Sequence, residues 1–79
     1  MEVESAVHWK TSTFLTQQEK LKYKGKPRWR SVDKSRYYTW DSMHGEVEVF
    51  NKRKQHIAIL NADGTLSNKQ PESGRTLDD

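Results

Sequence analysis

The chain has 79 residues, 32% hydrophobic and 32% charged, with no cysteine and a formal net charge of +3. That is enough for one domain with a thin core, and it excludes a disulfide framework and a thiolate metal site. No apolar run is long enough to predict a signal peptide or a membrane segment, and the positive balance favours an anionic partner.

Residues 2–10 alternate loosely, with Val3, Val7 and Trp9 against Glu2, Glu4, His8 and Lys10, which predicts a short strand or an extended arm. Thr16-Gln-Gln-Glu19 fits a capping box and predicts a helix of one or two turns over 13–20. In the next stretch Lys20, Lys22, Lys24, Lys26, Arg28 and Arg30 take every even position, while Leu21, Tyr23 and Trp29 take odd ones. Read as one extended piece, this segment has a cationic face and an apolar face, and Pro27 predicts an edge strand or an irregular extended piece rather than a central strand. With Lys34 and Arg36, positions 20 to 36 hold eight cations against one acid, Asp33. One or two lysines would guard an edge against aggregation, whereas six in register favour an electrostatic track for a phosphate backbone.

Tyr37 to Trp40 reads as a strand, Asp41 to Gly45 as a turn, and Glu46 to Phe50 as a central strand. Asn51 to Gln55 is a polar connection, and His56 to Leu60 is a further strand. Asn61-Ala-Asp-Gly64 is a turn after which Thr65 to Ser67 can return as a short strand. The expected architecture is mainly β: a small, highly twisted antiparallel sheet of four to five short strands with a short N-terminal helix or arm. Residues 1–24 form the arm and the start of the basic strand, 25–67 the sheet, and 68–79 a polar tail, all in a single domain 1–79.

The chemistry concentrates in Trp40-Asp-Ser-Met-His-Gly-Glu-Val-Glu-Val-Phe50. Val47 and Val49 face a core, and Glu46 and Glu48 stand on the open face about 7 Å apart. Acids that close repel, which raises the pKa of at least one of them and calls for a cation nearby. Three readings compete. Asp41, His44, Glu46 and Glu48 can be a polar strand face beside a turn histidine. They can be a divalent-metal site, since carboxylates and imidazole suit such ions, although the spacing is not diagnostic. Or they can perform acid–base catalysis on RNA. In that case a carboxylate takes the proton of a ribose 2′-hydroxyl, and a histidine protonates the departing 5′-oxygen. The product is a 2′,3′-cyclic phosphate, with no metal or cofactor required and an arginine wanted on the phosphoryl group.

The run Gly25-Lys-Pro-Arg-Trp-Arg-Ser-Val-Asp-Lys-Ser-Arg36 followed by Tyr38-Thr-Trp-Asp-Ser-Met-His-Gly-Glu-Val-Glu48 closely resembles the cytotoxic domain of the ribosome-inactivating colicins and cloacin. The similarity covers roughly 25–66. It implies a twisted antiparallel sheet with a short N-terminal helix, and an endoribonuclease toxin that cuts 16S rRNA at the decoding site. The resemblance also implies the ribosome as target and an acidic immunity protein or antitoxin as partner. The site of action is then the bacterial cytoplasm, for an excised domain of a delivered toxin or for a small stand-alone relative. By position it makes Asp41, His44 and Glu48 the catalytic group and Glu46 an accessory. Gly74-Arg-Thr-Leu77 is similar to the stretch that supplies the family's arginine, so Arg75 becomes the phosphate clamp. The family has a tyrosine where Phe50 stands, and residues 1–24 match poorly.

On a flat strand His44 and Glu48 would be about 13 Å apart at the backbone, so either the chain curls at Gly45 or Glu46 is the base. His8 and His56 read as ordinary surface or sheet residues. Among the aromatics, Trp29 is the candidate to stack on an unpaired base. Lys52, Arg53 and Lys54 form a loop cluster able to touch phosphate. The alternative to an enzyme is a non-catalytic RNA-binding module that uses the same basic track.

Overall fold

A computed structural model of the chain describes residues 7–77. Five strands, β1 (Glu19–Tyr23), β2 (Lys26–Arg30), β3 (Tyr37–Asp41), β4 (Glu46–Phe50) and β5 (His56–Asn61), form one antiparallel sheet in the order β1-β2-β3-β4-β5. The chain is a meander, because each turn between strands is short and chemically specified. Lys24 and Gly25 both have positive φ (51° and 78°), the signature of a two-residue hairpin turn whose twist matches its strands. Asp41 opens the next tight turn by accepting the Met43 and His44 N–H groups on Oδ1, and Gly45 closes it at φ 66°. Asn51 and Asp63 do the same work in the last two turns, taking the N–H groups of Arg53 and Gln55 and of Thr65.

Register sorts the side chains. Trp29 pairs with Tyr38, Tyr38 with Val49 and Val49 with Ala58, while Trp40 pairs with Val47 and Val47 with Leu60. These two rows form the core face, closed by Leu15 from the N-terminal segment with Trp9 and Phe14 at its edge. Trp9 meets Trp29 edge-on at 5.3 Å and Phe14 meets Tyr38 at 5.0 Å, the favourable geometry for aromatic pairs.

Three expectations need correction. First, the helix over 13–20 does not form; two single 3₁₀ turns, Trp9–Thr11 and Leu15–Gln17, take its place. The buried Ser12 is the residue that organises this segment, accepting the Leu15 N–H at 3.0 Å and donating to the Ala62 carbonyl at 2.7 Å. Thr16 bonds to Thr13, and Glu19 already belongs to β1, where it pairs with Arg30 (3.0 Å), so the capping box has no second member. Second, residues 2–6 of the expected arm lie outside the described residues, and Val7 and His8 form no strand. Val7 instead bridges to the Asp41–Gly45 turn, donating to the Ser42 carbonyl and accepting from Trp40 Nε1 (2.7 Å). Third, the tail does not hang free. Thr76 bridges Gln55, and Leu77 is buried with its N–H on the Lys54 carbonyl, whereas Leu66, in the expected return over 65–67, bridges Leu60.

Candidate active site

The face opposite the core carries the acids of the candidate site. Asp41 pairs with Glu46 and Thr39 with Glu48, so all three acids project to one side of β3 and β4. A cavity of about 820 Å³ opens there, with Thr39, Asp41, Glu48 and Arg75 in its lining and Lys26 and Arg28 beside them.

Each acid has a basic partner. Glu48 accepts from Arg75 Nη1 at 2.6 Å and from Thr39 Oγ1 at 3.2 Å. Glu46 pairs with Lys69 at 2.9 Å, and Asp41 Oδ2 lies 2.7 Å from His44 Nδ1. Side by side, the two glutamates would repel, and Lys69 and Arg75 relieve that. Partial burial alone would raise the Asp41 carboxyl. The side-chain and backbone hydrogen bonds from His44, its charge when protonated and the Met43 N–H outweigh that, and hold Asp41 below the usual carboxylate range. Arg75 was expected from a short motif in the tail; nothing marked Lys69, whose partner is 23 residues away in the chain. No sequence signal links positions that far apart, because only the docked tail brings them together.

His44 does not sit on the strand. It occupies the Asp41–Gly45 turn, where the positive φ of Gly45 breaks the extended run, and its side chain is 62% exposed. With Nδ1 held by Asp41, Nε2 is the ring nitrogen left to meet a ligand. Donor atoms of Asp41, His44 and Glu46 all lie within 4.8 Å of one another, a group able to hold a divalent ion through carboxylate and imidazole. Phe50, at the position of the family tyrosine, is 1% exposed and brings no hydroxyl.

The basic track is split, and this corrects the one-face expectation. Across the Lys24-Gly25 hairpin every even position of β1 pairs with an odd position of β2, Lys20 with Trp29 and Lys22 with Pro27. Lys26, Arg28 and Arg30 therefore share the cavity side of the sheet, while Lys20 and Lys22 lie on the core side. Lys20 Nζ stands 4.4 Å over the Trp9 ring, Lys24 Nζ is in the turn 5.1 Å from Tyr23, and Arg28 stacks on Tyr23 at 4.2 Å. Trp29, expected to stack on a base, is 1% exposed in the core and has no face to offer. Lys34 lies in the β2–β3 turn. Arg36, Lys52 and Arg53 line a second cavity of about 340 Å³ where β3 begins and β4 ends. Lys54 belongs to that loop but outside the cavity lining. His56, read as an ordinary sheet residue, is buried.

A family model described as Cytotoxic matches residues 10–78 of the chain. The match extends into the N-terminal segment, beyond the residues 25–66 that carry the motif resemblance. No curated protein matches the chain.

Proposed function

The chain belongs to the Cytotoxic family, that of the colicin and cloacin cytotoxic ribonuclease domains, and from that premise we propose that it is a ribosome-inactivating endoribonuclease. Its substrate is 16S rRNA at the decoding site. Glu48 takes the proton of a ribose 2′-hydroxyl, and that oxygen attacks the adjacent phosphorus. The bond to the 5′-oxygen breaks, and His44 supplies that oxygen with a proton from Nε2. The products are a 2′,3′-cyclic phosphate and a free 5′-hydroxyl. Asp41 holds the His44 ring through Nδ1. Arg75 exchanges Glu48 for two phosphate oxygens, as a planar guanidinium can. Lys26 and Arg28 hold flanking phosphates, and an acidic immunity protein covers the same charge.

The observation that carries this reading is the single cavity in which Glu48 and Arg75 meet Lys26 and Arg28. Glu48 lines this cavity and is named the base on the family resemblance, while Glu46, held by Lys69, and His44 both lie outside the lining and close to Asp41.

The test is to incubate ribosomes with the wild type, His44→Ala, Glu48→Gln and Glu46→Gln in the presence of chelator. A discrete 16S rRNA fragment is expected from the wild type, with His44→Ala and Glu48→Gln slower by about 10²- to 10⁴-fold and Glu46→Gln affected least. Binding without a cut from the wild type would leave only an RNA-binding module. A cut that chelator alone abolishes would hand Asp41, His44 and Glu46 to a divalent ion.

A further inference from the structure

We propose that His56 is a positioning residue that fastens Arg75 over the cavity. What Arg75 does there rests on the ribonuclease reading; how it is held rests on geometry alone. His56 opens β5 and is 8% exposed. Its backbone N–H donates to the Arg75 carbonyl at 3.0 Å, and its ring Nδ1 accepts the Glu72 N–H at 2.9 Å. Between those two bonds lies a closed turn, with the Arg75 N–H on the Glu72 carbonyl and Gly74 at φ 84°. Glycine at that third position is what a type II turn requires. One residue thus grips both ends of the four-residue turn that delivers Arg75.

The side chain repeats the linkage. The Phe50 ring packs against the His56 ring at 5.1 Å, and the Arg75 guanidinium lies 5.9 Å from Phe50 before it reaches Glu48. Because Nδ1 accepts, a neutral ring must carry its proton on Nε2, and this nitrogen is buried with no hydrogen-bond partner among the described residues. A buried N–H without an acceptor is unfavourable, and phenylalanine in this place would avoid it. What histidine offers in exchange is the Nδ1 acceptor for the turn.

Two substitutions separate the role from simple packing. His56→Phe keeps a ring and removes the acceptor, while His56→Asn keeps an acceptor near the Nδ1 position and removes the ring. In single-turnover cleavage of ribosomal RNA, His56→Phe is expected to slow kcat by roughly 10- to 100-fold, the effect of a misplaced group, with little change in KM. His56→Asn restores most of the rate. Added to Arg75→Ala, His56→Phe slows nothing further, because both changes remove one function. Additive losses, or wild-type rates in His56→Phe, overturn the proposal.

A second readout needs no activity. Amide exchange at Glu72 and Arg75 accelerates in His56→Phe and stays near the wild-type rate in His56→Asn. If exchange responds this way while no form of the protein cuts RNA, the positioning role stands and the ribonuclease reading falls. Unchanged exchange sinks the positioning role itself. Should His56→Phe not fold, nitrogen NMR of the wild type decides, since a neutral His56 protonated on Nδ1 contradicts the bond to Glu72.

Discussion

Along β3 and β4, neighbours in the chain face two different environments. Tyr38, Trp40, Val47 and Val49 turn toward Leu15 and Trp29, where contact is apolar and free energy follows the area removed from water. Thr39, Asp41, Glu46 and Glu48 turn the other way and meet His44, Lys69 and Arg75, which are roughly half exposed. Ion pairs at that exposure contribute little to stability, because water screens them and long side chains lose freedom in forming them. The comparison teaches that one alternating stretch serves two separable purposes. The core face holds the sheet, and the charged face carries the acids with their basic partners.

The largest effect should come from breaking the apolar face. Trp29→Ala is expected to lose about 3–5 kcal/mol of stability, a substantial part of what a small domain has, whereas Arg75→Ala loses less than about 1 kcal/mol. Urea denaturation of both variants measures this, and equal losses would erase the division. A smaller effect sharpens the same comparison through the split cations. Lys26→Ala with Arg28→Ala should weaken ribosome binding and flatten its dependence on log salt by about one unit per residue. Lys20→Ala with Lys22→Ala, on the core side, should leave the slope nearly unchanged. If the two pairs behave alike, the hairpin has not divided them.

The smallest effect is acid lability. The Ser35 and Ser31 hydroxyls and the Ser35 N–H hold Asp33 down to about 2, and Asp41 is also lowered. A carboxyl whose folded pKa is depressed lends stability above its unfolded value near 3.8 and loses it as pH falls through the folded value. Thermal melts from pH 5 to pH 2 should therefore show a decline that starts near pH 4. Asp41→Asn should flatten part of that decline, and an unchanged profile would mean that Asp41 is not held as described.

The fold class, the central strand over 46–50, the Asp41–Gly45 turn and the acidic group were all legible in the residues, because alternation and turn chemistry are local properties of a chain. Gly74-Arg-Thr-Leu77 marked Arg75 as a site residue, but only the tertiary structure brings it to Glu48 and adds Lys69 at Glu46. Reading Lys20 to Arg30 as one extended piece put six charges on one face. The two-residue turn at Lys24-Gly25 reverses the chain and pairs even positions with odd ones, so the charges divide. Lys69, the tail that carries Arg75, and the grip of His56 on that tail likewise have no local signature. Spacing along a chain specifies which side a residue faces within its own strand. Which residues meet across the sheet depends on turn length and on the docking of distant segments, and those arise only when the chain folds.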